Sequence, residues 1–165
     1  MNKMLISFRF LLFAFLCFSI AACGDDTDDT DTDTGTNNCA TAADDGLIAK
    51  VDGVSWSANI VSANDNPSGT TITIAAVTTT GSQIQLSNIS AATGTTSLTG
   101  GKASYVKACT GVSIPSTSGT LTISSYGNGT LSGTFSFTAS ITNTSTGAVE
   151  SYAITCGSFS NLTIN

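Results

Sequence analysis

The sequence predicts an all-β protein: an antiparallel β-sandwich of about eight strands, with a β-barrel-like meander as the alternative. Three observations carry that expectation. From Leu47 onward apolar and polar residues alternate with a period of two, which sends successive side chains to opposite faces of a strand. Turn signals built from Gly, Asn, Pro and Ser punctuate the alternation at short intervals. No stretch places apolar residues at i, i+3, i+4 and i+7 over three turns, so a helix would have no face to bury. Periodicity alone does not separate the sandwich from the barrel.

The strands follow in order. Ile48-Ala49-Lys50-Val51 and Val54-Ser55-Trp56-Ser57-Ala58 flank Asp52-Gly53, the two-residue signal of a type I′ hairpin. Thr71-Ile72-Thr73-Ile74 and Gln83-Ile84-Gln85-Leu86 alternate around a turn near Gly81-Ser82. Further runs are expected at 103–108, 120–124, 130–142, 151–155 and 158–164. In the longest, Leu131, Phe135, Phe137, Ala139 and Ile141 share one face. Ser132, Thr134, Ser136, Thr138 and Ser140 share the other, the pattern of a half-buried antiparallel strand. Turns are marked by Asn66-Pro67-Ser68-Gly69, Thr99-Gly100-Gly101, Tyr126-Gly127-Asn128-Gly129 and Ser145-Thr146-Gly147.

Ahead of this domain lies a chain of different character. Lys3 and Arg9 precede an uncharged run from Phe10 to Ala22. That run is shorter than the roughly 20 residues a spanning helix needs, and its layout is that of a secretory signal peptide. Ile20-Ala21-Ala22-Cys23 resembles the bacterial lipoprotein lipobox. The resemblance implies cleavage before Cys23 and acylation of its thiol, with more than one chain for a stable anchor. The expected organisation is a signal peptide at 1–22, a lipidated Cys23 with a disordered acidic linker at 23–45, and an all-β domain at 46–165.

Charge follows the same division. All eleven acids remain after the signal and face Lys50, Lys102 and Lys107, a balance of −8. Eight of those acids lie before residue 46; from there on Asp52, Asp65 and Glu150 meet the three lysines. Residues 24–45 combine high charge with no hydrophobic periodicity, so burial cannot offset their ordering entropy. As a flexible coil they would average about 26 Å end to end and could reach about 75 Å at full stretch. The domain stays wet through hydroxyls: 28 Thr and 21 Ser follow the signal, and Thr suits strands. With no basic patch to follow phosphates, nucleic acid is not an expected partner.

Cys17 leaves with the signal and Cys23 takes lipid, which leaves Cys39, Cys109 and Cys156. An exported chain keeps disulfides, so one bridge is expected. The spacing does not choose among the pairings. Cys109–Cys156 is favoured because both lie in the patterned region, with Cys39 as the alternative partner.

Together the lipobox cysteine, the acidic spacer and the blocks "AKVDGVSWSA", "GTLTIS", "LSGTFSFTA" and "ITCGSFSNLTI" resemble a group of Bacteroidota lipoproteins of uncharacterised function. The likeness runs from about residue 20 to the C-terminus. It implies placement at the outer membrane, on the cell surface, with the periplasmic face as the alternative. Some lipoproteins of that phylum carry an acidic stretch after the lipidated cysteine as an export signal; Asp25, Asp26, Asp28 and Asp29 match it loosely. The resemblance implies no activity.

Chemistry-bearing residues are sparse. Asp29-x-Asp31-x-Asp33 suggests a calcium loop, but position six is Thr34 and position twelve is Ala40, where such a loop needs Gly and a bidentate Glu. There is no histidine, which removes the commonest general base and metal ligand. Cys109 or Cys156 as nucleophile would lack that partner. No metal, cofactor or catalytic site is expected. Trp56, Tyr105, Tyr126 and Tyr152 could stack on sugar rings if exposed, with Tyr126 and Trp56 as the candidate ligand contacts. Trp56 also reads as core, since it alternates in step with Val54 and Ala58. The expectation is therefore a lipid-anchored, non-catalytic surface module held to the membrane by its lipid, with a glycan-binding or adhesive module as the alternative.

Overall fold

Alternation at period two becomes ten strands and, among the described residues, no helix. The computed structural model describes residues 39–144 and 146–165. The expected signal segment at 1–22, Cys23 and the Asp29–Asp33 motif lie outside them. The strands are β1 (Gly46–Val51), β2 (Val54–Ser57), β3 (Ile60–Asp65), β4 (Thr71–Val77), β5 (Gln83–Ser90), β6 (Gly94–Ser97), β7 (Ala103–Val106), β8 (Ser113–Gly127), β9 (Thr130–Thr142) and β10 (Val149–Thr163).

All strand pairs are antiparallel, in the order β2-β1-β10-β9-β8-β7-β5-β4-β3, with β6 added on β8. The end strands of that order, β2 and β3, are separated in the chain only by Ala58 and Asn59, so the sheet curls back toward its own edge. Isolated bonds reinforce the closure. Ile164 bridges Ala63 in parallel, and Asn165 N–H donates to the Ala63 carbonyl at 2.9 Å. The result is a half-barrel whose two halves face one core and join through β8, which pairs β7 by its first residues and β9 and β6 beyond.

The expected hairpin is present: Asp52 and Gly53 take φ of 51° and 85° between paired Val51 and Val54, the positive pair a type I′ turn requires. Asp52 also accepts from Ala153 N–H at 2.7 Å, hooking the turn onto β10. On β9 the predicted apolar face points inward, with Leu131, Phe135, Phe137 and Ala139 buried. They join Leu47, Ile74, Leu86 and Phe159 in one core.

Three strands change their inward parity partway along, and each change sits at a residue in left-handed backbone. In β5, Ile84 and Leu86 are buried, then Ile89, with Asn88 between at φ 53°. In β10, Ile154, then Phe159, then Leu162 point inward, with Cys156 (φ 52°) and Asn161 (φ 47°) at the changes. In β8, Ile114 and Ser116 give way to Leu121 and Ile123 across Gly119 (φ 143°). Register shifts flank these places, as expected of β-bulges. The runs expected at 151–155 and 158–164 are thus one bulged strand, and the run at 120–124 is the inner part of a longer one. β3 and β6 carry little apolar alternation: β3 buries only Ala63, and β6 is Gly-Thr-Thr-Ser. Pairing with β4 and β8 makes them strands.

The domain boundary at residue 46 moves back to Cys39. Residues 39–45 form a strap along β10, in which Ala42 is buried and its N–H donates to Ser158 Oγ at 3.3 Å. Asp44 accepts from Asn161 Nδ2 at 2.8 Å. Asp45 accepts from the Thr163 N–H and hydroxyl at 3.1 and 3.2 Å. Two aspartates read from composition as linker charge are therefore ligands for donors on β10.

Candidate functional site

Cys39 is bonded to Cys156, with their Cα atoms 4.9 Å apart. This corrects the favoured Cys109–Cys156 pairing in favour of the alternative partner. Cys109 is exposed in the connection between β7 and β8. In sheet order β8 and β9 lie between β7 and β10, so two intervening strands, each taking about 4.8 Å, separate that connection from Cys156. A bridge needs Cα atoms within about 7 Å. The left-handed backbone at Cys156 breaks the alternation of β10 where the strap reaches it.

Beside the bridge is an open cleft of about 300 Å³, lined by the bridge itself, by Phe135 and by several Thr and Ser residues, among them Thr122, Thr134 and Ser136. The hydroxyls are in register: Thr95 faces Thr122 and Thr122 faces Thr134, with Thr95 and Thr122 hydrogen-bonded at 3.1 Å. No formal charge lines the cleft.

The aromatics divide between core and surface. Trp56 is buried, 8% exposed, and its Nε1 donates to Ser82 Oγ at 2.9 Å. It is a satisfied core residue and cannot offer its face to a ligand, which corrects its candidacy as a contact. Val54 departs from the shared face expected for it: it is 71% exposed beside the hairpin turn. Tyr126 is 37% exposed at the end of β8, next to the Gly127-Asn128-Gly129 turn.

Tyr105 and Tyr152 meet across the core with ring centroids 5.0 Å apart and planes tilted by 55°. The Tyr152 hydroxyl donates to Glu150 Oε1. That bond first, then burial and nearby charge, push the Tyr152 phenol up to about 12. Burial, then the Asp52 charge, raise Tyr105 as well. A folded value above the unfolded phenol's, about 10, means the fold favours the protonated ring. This stabilisation is fully present below pH ~10 and is lost as pH rises through 12. Glu150→Gln returns the Tyr152 midpoint toward 10, read from phenolate absorbance during alkaline titration; an unchanged midpoint would exclude Glu150 as the cause.

Fold and site define a class: an antiparallel half-barrel whose N-terminal strap is stapled to its last strand. Residues 44–163 match the family described as Domain of unknown function (DUF6252), and the chain belongs to that family. No curated protein and no solved structure matches it.

Bridge and strap were only partly visible in the sequence. Cys39 was legible as a thiol at the end of a low-complexity run. The Asp44 and Asp45 contacts were not, because their partners, Asn161 and Thr163, lie at the far end of the chain.

Proposed function

We propose that this protein is a lipid-anchored lipoprotein of the outer membrane, displayed on the cell surface, whose half-barrel is a non-catalytic module carried on an acidic tether. The observation that carries the reading is Ile20-Ala21-Ala22-Cys23 at the end of an uncharged run, followed by an Asp/Thr-rich segment that stops at Cys39. With the strap docked from Cys39 onward, residues 24–38 are the stretch that this reading leaves as tether. The hydroxyl-rich surface, with five acids and three lysines over residues 39–165, suits a module that stays soluble with little charge. A glycan-contacting role is supported by Tyr126 alone among the four candidate aromatics outside the signal, since it is the one that is exposed.

The test is acylation. The wild-type chain expressed in a bacterial host incorporates labelled palmitate and partitions with membranes. Cys23→Ala loses the label and appears in the soluble fraction. A Cys23→Ala protein that keeps both properties would sink the reading.

A further inference from the structure

The leader enters the fold at a point held by two kinds of connection. One is the strap, attached to β10 by a few hydrogen bonds at Ala42, Asp44 and Asp45, after which β1 pairs with β10. The other is the covalent bridge from Cys39 to Cys156. Cys156 lies within β10, which pairs on one edge with β9 (Ile154↔Phe137, Gly157↔Phe135) and on the other with β1 (Val51↔Ile154, Ile48↔Ser158).

These two connections respond differently to a pull on the leader. Along the strap, tension would open one hydrogen bond at a time from the chain end, each with a net value of about 1 kcal/mol, and then unzip β1. Through the bridge, the same tension arrives mid-strand, where β10 can leave only if bonds on both edges break together. We infer that the Cys39–Cys156 bridge is a mechanical clasp, which passes traction on the leader directly into β10 and shields the strap, β1 and β2 from peeling. This deepens the tether reading by saying how the domain stays folded while pulled through its N-terminal side.

Force spectroscopy tests the clasp. The full chain is held by non-cysteine handles at Thr36 in the leader and at Thr79, exposed between β4 and β5. The oxidised chain is expected to resist until one cooperative event. Cys156→Ser is expected to show an additional early, low-force step that lengthens the chain by about 4 nm, the release of residues 40–51. If that variant fails to fold, adding reductant to the folded wild-type chain under constant load should produce the same step. An early step in the oxidised chain, or its absence from the reduced one, overturns the clasp. Because the handles replace the lipid, the result stands whether or not Cys23 is acylated.

Discussion

Reducing the Cys39–Cys156 bridge is expected to lower the melting temperature by roughly 10–20 °C. The bridge joins residues 117 apart, and closing a loop of that length removes unfolded-state entropy with a ceiling of about 5 kcal/mol. Native disulfides commonly deliver about 2–5 kcal/mol, and each kcal/mol shifts the midpoint of a domain this size by roughly 3–5 °C. Calorimetry of the wild-type chain with and without a phosphine reductant measures the effect. Cys39→Ser/Cys156→Ser should melt at the lower temperature in both conditions, whereas Cys109→Ser should keep the reductant-dependent drop. If instead Cys109→Ser abolishes the drop, the pairing is wrong. Reduction should also loosen the strap, because Ala42, Asp44 and Asp45 would hold it by hydrogen bonds alone.

The second large effect is at Gly119, where alanine is expected to cost about 3 kcal/mol or more. Two terms add. Its φ of 143° lies in a region that residues with a Cβ rarely adopt. A Cβ built there would also collide with the Phe137 Cβ and the Ser136 carbonyl oxygen on β9. Backbone cannot swing aside as a long side chain can, so β8 would have to leave β9 at the point where its inward parity changes. Gly127→Ala separates the terms: φ is 154° and nothing lies within 4 Å of the added carbon, so only the backbone cost, of order 1 kcal/mol, applies. Equal losses for the two variants in urea unfolding would show that the close approach to β9 contributes nothing.

Parts of the fold were legible in the sequence and parts were not. Period-two patterning locates β1, β4, β5 and β9 because each buries one face through most of its length. It fails where a bulge inserts an odd residue. Within β10 the inward set moves from Ile154 to Phe159 to Leu162, and a reader following a fixed parity sees two short strands with a gap. Asn88, Cys156 and Asn161 carry those changes in left-handed backbone. Asparagine tolerates that conformation better than most residues, so the two asparagines were a faint signal; a cysteine there was none. Two glycines show a related limit. The Phe159 ring covers Gly133 and the Phe135 ring covers Gly157, each filling space on a neighbouring strand that only the assembled sheet defines.

For the candidate site, the inventory was readable and its arrangement was not. The sequence supplied the thiols of Cys39, Cys109 and Cys156, and its composition set an acidic N-terminal segment apart from the patterned region that follows residue 46. Choosing Cys39 over Cys109 depended on strand order, which places β8 and β9 between β7 and β10. Trp56 needed the position of Ser82, the acceptor that makes its burial inexpensive.

By itself the sequence determined the all-β class, the Asp52-Gly53 hairpin, the inward face of β9 and the contrast between an acidic N-terminal segment and a patterned domain. These are local properties, set by alternation, turn chemistry and composition over a few residues. Tertiary structure alone decided that the end of the chain meets β3 as the sheet curls, that residues 39–45 belong to the fold, and that Cys39 is stapled to β10. Those outcomes depend on contacts between residues more than a hundred positions apart, where pairing register and bulges, rather than local preference, determine which groups meet.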